Sequence, residues 1–305
     1  MAIVRTDIPM TSELYEQTIR RLAEAYPFLK TDILTRTAFG RPIYTIDIGD
    51  GDREVLFTGA HHANEWITAT LLLKFLEELA EAFQKGGKIY GVSAANILKY
   101  ATIHFIPMVD PDGVDLVTGA IRPQTPEYNI ARQIAGDFPD IPFPDGWKAN
   151  FLGVDLNLQY PAGWLIAREI KFSQGFTKPA PRDYVGRAPL SQRESRTLAR
   201  DTEDVDPDLV LGYHTQGKAI YWQFRDYQVP SAKALGEEFA RLSGYSLEDT
   251  PYESSFAGYK DWFIQDFRRP GFTIEAGSGT NPLPLSQFDE IYKDNLGILV
   301  TAATG

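Results

Sequence analysis

Apolar residues recur at helical spacing over residues 12–25, where Leu14, Ile19, Leu22 and Ala23 share one side and Tyr26-Pro27 ends the run. A stronger helical pattern covers residues 65–83 through Trp66, Leu71, Leu72, Phe75, Leu76 and Leu79. Alternation over residues 42–48 reads as a strand, Asp50-Gly51 as a hairpin turn, and residues 54–58 as the answering strand. Unbroken apolar runs at 101–109 and 209–214 predict buried strands, the first ending in a turn at 110–113. Ser191 to Glu194 has the form of a capping box and predicts a helix to about Thr202. Helices are also expected at 231–242, stopped by Gly244, and at 286–302, with a short strand at 271–275 before a Gly-rich loop. Residues 119–150 and 175–189 read as long irregular loops, the kind of segment that carries function. The expectation is one α/β domain over residues 1–305. It would hold a mixed, mostly parallel twisted sheet with helices on both faces, and its active site would lie at the carboxyl ends of the strands.

Composition narrows the chemistry. The 305 residues are 43% hydrophobic and 12% aromatic, enough for a sizeable core. A formal charge of −11 with no Lys/Arg run argues against nucleic-acid binding, and no window is apolar enough to insert in a membrane. No signal-like apolar stretch opens the chain, so a cytoplasmic location is the default, with secretion or wall association expected for a processed chain. Nothing in the pattern sets an oligomeric state. The absence of cysteine removes thiolate chemistry, so a zinc site would need His and carboxylate ligands.

Only four histidines occur, and two are adjacent in GAHHANEWIT, residues 59–68. His62 and Glu65 stand three apart where a strand gives way to a helix, so both side chains can reach one ion. A catalytic zinc needs a third ligand and an open position. His61 would point away, and His104 lies within an apolar strand and reads as a core histidine. His214 ends its strand at the same sheet edge and is the natural third ligand.

These segments, in this order, resemble the M14 zinc carboxypeptidase family. HANEWIT is similar to its zinc motif, YHTQ to its third-ligand strand, GVDLN to its GVD-x-N segment and FTIEAG to the strand of its catalytic glutamate. PMVDPDG and GRPIYTIDIG are similar to further family elements. The resemblance implies one Zn2+ held by His62, Glu65 and His214. It implies Glu275 as general base, moving a proton from the attacking water to the leaving amine, and Asp155 as the hydrogen-bond partner that orients His62.

Departures from the family pattern bear on substrate. The arginine that grips a C-terminal carboxylate is replaced by Leu158, although Asn157 before it remains as a donor. Lys148 in GWKAN matches the arginine beside the scissile carbonyl, Asn64 stands for an arginine in the zinc motif, and Lys260 matches the pocket-floor position. For the family's mobile tyrosine the candidates are Tyr252, one residue out of register, and Tyr259, much closer to Asp261-Trp262. The set is similar to the bacterial γ-D-glutamyl-meso-diaminopimelate peptidase I subgroup, which implies a peptidoglycan stem peptide or muropeptide as substrate. Lys148, Lys260 and the pair Arg268-Arg269 would then meet its carboxylates. The rival readings are a metallocarboxypeptidase acting on ordinary C-termini, a non-catalytic zinc-dependent peptide-binding module, and an amidase for small acyl-amino acids.

Overall fold

The computed structural model describes residues 2–305. Ten strands and ten α-helices follow one another along the chain. The strands are β1 (Lys30–Arg36), β2 (Pro42–Ile48), β3 (Arg53–Thr58), β4 (Lys88–Ile89), β5 (Val92–Ser93), β6 (Ala101–Ile106), β7 (Leu209–His214), β8 (Ala219–Tyr221), β9 (Ser246–Glu248) and β10 (Gly271–Glu275). The helices are α1 (Ser12–Ala25), α2 (Ile67–Gln84), α3 (Ala94–Tyr100), α4 (Pro111–Val117), α5 (Pro126–Ala135), α6 (Trp164–Ser173), α7 (Arg193–Val205), α8 (Pro230–Ser243), α9 (Tyr259–Phe267) and α10 (Phe288–Thr304).

Eight strands form one sheet in the order β1-β2-β6-β3-β7-β10-β8-β9, and β4 and β5 form a separate small hairpin. The central strands β6, β3, β7 and β10 run parallel, while β1, β2 and β8 join antiparallel. Successive residues of the central strands reach opposite cores. Val55, Phe57, Leu209, Leu211 and Tyr213 pack with α1, α2, α3, α8 and α10. Leu56 and Val210 pack with α6, α7 and α9 on the other face. Burial on both sides explains why these strands read as continuous apolar runs.

The sheet differs from the expected hairpin. β2 and β3 do not pair, because β6 lies between them and bonds to both. Gly51 turns where a Cβ would lie 2.1 Å from the Tyr100 carbonyl carbon, so the segment is shaped by the approach of β6 and not by a two-residue turn. On its other side β2 pairs with β1, whose exposed and half-buried positions gave no apolar signal.

Three local expectations also change. The turn at Asp110 opens α4, with Asp110 Oδ1 accepting from the Gly113 amide. The irregular stretch 119–150 contains α5, capped by Thr125. The capping box at α7 does not form, since Ser191 donates its hydroxyl to Gln159 Oε1 3.0 Å away.

Candidate metal centre and active site

Three parallel strands end at one edge and deliver the site. β3 ends at Thr58, and Ala60, held at φ +44°, turns the chain into the histidine pair. Thr68 fastens this loop: its hydroxyl accepts from the Ala60 amide and donates to the Glu65 carbonyl, both at 2.8 Å. A 3-10 turn, Ala63–Glu65, brings His62 and Glu65 together ahead of α2. His214 ends β7, and Glu275 ends β10 directly opposite it.

The predicted ligands converge. Nδ1 of His62 lies 2.9 Å from Glu65 Oε1, and Nδ1 of His214 lies 2.9 Å from Glu65 Oε2 and 3.1 Å from His62 Nδ1. One ligand atom from each of His62, Glu65 and His214 falls within 4.8 Å of the others, and all three residues are buried. Two imidazole nitrogens and a carboxylate facing one buried point form a donor set suited to zinc.

Neighbouring groups set the orientation and charge of this cluster. His62 Nε2 lies 3.1 Å from Asp155 Oδ1, leaving Nδ1 to face the centre. Burial opposes charge on His62, but Glu65 and Asp155 outweigh it and raise the ring to about 9. Burial also opposes the Glu65 charge, yet His62 and Lys148 hold that carboxylate well below its usual range. The Lys148 ammonium stands 3.0 Å from Glu65 Oε1. Asn157 approaches His214, Nδ2 to Nε2 3.5 Å, while its Oδ1 accepts from the Tyr259 amide. Glu275 lines the cleft, where desolvation and then the Glu65 charge push its carboxyl up to about 8.

The cleft holds about 210 Å³ and is lined by His62, Lys148, Asp155, Asn157, Leu158, His214, Lys260 and Glu275, among others. Lys260 is only 5% exposed, and its amine donates to Asp261 Oδ1 at 2.6 Å and to the Gln223 carbonyl at 2.7 Å. Tyr252 stands outside the lining, 66% exposed on a 3-10 turn, its ring edge-on to Phe256. Tyr259 is buried, its hydroxyl 2.8 Å from that of Thr202. Arg268 stacks on Tyr227 and Arg269 pairs with Asp206, and neither lines the cleft.

The other histidines take structural places. His61 is fully buried and stacks on His214 with centroids 5.5 Å apart, and burial keeps it neutral. His104 bridges Asp47 (2.8 Å) and Glu54 (2.6 Å) on the strands beside it. The cleft also gathers Lys171, Arg182, Asp183 and Tyr221, which no local pattern marked. The backbone of the Pro-rich segment brings Arg182 and Asp183 there, with the Lys148 and Ala149 amides both donating to the Pro181 carbonyl.

A family model for zinc carboxypeptidases, Peptidase_M14, matches residues 15–297. The chain belongs to the zinc carboxypeptidase family. As a family member it is a zinc-dependent peptidase. It is 43% identical over 282 residues to gamma-D-glutamyl-L-diamino acid endopeptidase 1 of Lysinibacillus sphaericus, a match covering 92% of this chain and 69% of that protein. It is 35% identical over 292 residues to the uncharacterized protein YqgT of Bacillus subtilis (strain 168), covering 93% and 74% respectively. Among solved structures, thrombin activatable fibrinolysis inhibitor superposes over 100% of this chain and 76% of its own with a TM-score of 0.75 at 16% identity, a likeness of fold.

Proposed function

We propose that this zinc peptidase hydrolyses the amide between γ-D-glutamate and a diamino acid in peptides derived from peptidoglycan, with meso-diaminopimelate as the diamino acid. The observation that carries the reading is Leu158. It lines the cleft beside Asn157, where a carboxypeptidase of the resembled pattern would grip a C-terminal carboxylate with arginine. A leucine offers no such grip, while His62, Glu65 and His214 still converge and Glu275 lines the same cleft. The 43% identical relative, whose name specifies a γ-D-glutamyl bond to a diamino acid, supports the same substrate class.

In this reading His62, Glu65 and His214 hold one zinc ion, which supplies Lewis-acid activation of water and of the scissile carbonyl. Asp155 fixes the His62 ring so that Nδ1 would be left to hold the metal. Glu275 accepts the proton of the attacking water and passes it to the departing amine. Burial and the Glu65 charge push the Glu275 carboxyl up to about 8, so positive charge nearby is what brings it to the ionised form that accepts a proton. Lys148 offers a fixed ammonium to the carbonyl oxygen as negative charge develops on it. Asn157 offers an amide donor to the substrate, and Lys260 with Asp261 presents opposite charges in the cleft lining, suited to the zwitterionic end of a diamino acid. Tyr252, at the rim, stands as a candidate contact for the longer stem.

A paired assay tests the reading. Zinc-loaded protein is given L-Ala-γ-D-Glu-meso-diaminopimelate and, separately, blocked dipeptides with free L-C-termini. Release of diaminopimelate without turnover of the dipeptides is expected. Turnover of the dipeptides alone would make the chain an ordinary carboxypeptidase despite Leu158. Zinc binding with neither activity would favour a binding module.

A further inference from the structure

Three charges on the cleft wall take no part in the chemistry above. Arg182 Nε donates to Asp183 Oδ2 at 2.6 Å, and Lys171 Nζ pairs with Asp183 Oδ1 at 2.7 Å. The backbone around them is tied to the metal centre. The residue before Arg182 accepts from the Lys148 and Ala149 amides at 2.8 and 2.9 Å, and the Asp183 amide donates to Asp155 Oδ2 at 3.3 Å. Arg182 is thus anchored through its neighbours to the very residues that flank His62 and Glu65.

Its end is free. The Arg182 side chain is 45% exposed, against 14% for Asp183, and its Nη1 and Nη2 groups make no hydrogen bond to any described residue. The Lys171–Asp183–Arg182 group carries one surplus positive charge, and Arg182 is its most exposed member in the cleft lining. Lys260, by contrast, is buried in the lining and is matched one to one by Asp261. A guanidinium held by Nε with two parallel N–H groups unpaired is preorganised for a carboxylate, since much of its rotamer freedom is already lost.

Substrate chemistry says which carboxylate. A γ-linked glutamate keeps its α-carboxylate free on the acyl side, at the other end of the glutamyl side chain from the scissile carbonyl, whereas an α-linked residue has used that group in the chain. In a tripeptide the acyl half also carries the rest of the stem, so it suits the more exposed wall that holds Arg182, while the diamino acid suits the buried Lys260 and Asp261. Resting on the function proposed above, we infer that Arg182 binds the free α-carboxylate of the γ-glutamyl residue, with Asp183 and Lys171 holding it in place. The cleft thereby reads the isopeptide linkage itself, through an acyl-side carboxylate distinct from the C-terminal one that an arginine at position 158 would grip.

Two substrates separate this contact from everything else: L-Ala-γ-D-Glu-meso-diaminopimelate and the same tripeptide with the glutamyl α-carboxylate converted to a carboxamide. The wild-type chain should prefer the acid by roughly 10- to 100-fold in kcat/KM. Arg182→Gln should lower the acid to the level of the amide and leave the amide unchanged, with Arg182→Lys between the two. Calorimetric binding in a Glu275→Gln background should show the same ratio without turnover. Equal loss on both substrates would assign Arg182 a structural role, and an undiminished preference in Arg182→Gln would assign the carboxylate to another group. Either result overturns the assignment, as does equal cleavage of both tripeptides by the wild type. Cleavage of neither would overturn the peptidoglycan reading and the assignment with it.

Discussion

Glu275 stands in register with His214, the last paired residues of the parallel strands β10 and β7. A carboxylate and an imidazole from segments 61 positions apart thus open onto one cleft, and the sheet, not a loop, sets their separation. Because neither depends on the other for its place, they can be altered separately.

Glu275→Gln should keep the fold and a full complement of zinc while lowering kcat roughly 10²- to 10⁴-fold, the range for loss of a general base. Steady-state kinetics beside metal analysis decides it. Loss of zinc together with activity would move Glu275 from proton transfer to metal retention.

The ligands should behave oppositely. Alanine at His62, Glu65 or His214 should take bound zinc from one equivalent per chain toward none, and a chelator should reproduce the loss in the unaltered protein. Asp155→Asn, which keeps the shape but not the charge beside His62 Nε2, should weaken zinc affinity roughly 10- to 100-fold. Competition titration with a zinc indicator measures both, and wild-type affinity in Asp155→Asn would remove its orienting role.

Lys148→Met should depress kcat roughly 10²- to 10³-fold with little change in KM, as for a contact made chiefly in the transition state. The accompanying loss of the ammonium beside Glu65 should also raise the proton affinity of that carboxylate. A rise in KM alone would instead make Lys148 a ground-state binding group.

Gly113 is a structural key to the zinc loop. A Cβ there would stand 2.7 Å from Ala63 Cβ, 2.9 Å from the Ala149 carbonyl oxygen and 2.2 Å from Asp110 Oδ2. Ala63 lies between the ligands and Ala149 next to Lys148, so Gly113→Ala should cost about 2 kcal/mol of stability and weaken zinc binding as well. Denaturation and metal titration of the same sample would show whether the two losses travel together.

His104 gives a pH dependence away from the metal. Burial disfavours its charged ring, but bonds to Asp47 and Glu54 outweigh that and raise it above its usual 6.5. Its stabilising contribution is therefore complete below pH 6.5 and disappears as pH climbs through the raised value. His104→Gln should cost about 1 kcal/mol at pH 6, allowing for the partial exposure of both carboxylates, and progressively less as the pH climbs through the raised value. A pH-independent difference in melting would assign the cost to packing.

Much of this protein was legible in one dimension because its determinants are local. α1 and β7 occupy the predicted residues, since an amphipathic stripe and an apolar run bounded by turns need no distant partner to be read. The convergence of His62, Glu65 and His214 carried its own signal too: two lie a helical turn apart and the third ends an apolar strand. Tertiary structure decided what depends on insertion and return. The apparent hairpin of β2 and β3 is opened by β6, whose pairing is settled by the chain that follows, and β1 was silent because an edge strand facing water needs no apolar alternation. Arg182 belongs to the same class. It looks like one surface arginine in a Pro-rich loop, and becomes a wall of the cleft only because the Pro181 carbonyl takes two amides from the segment that carries Lys148.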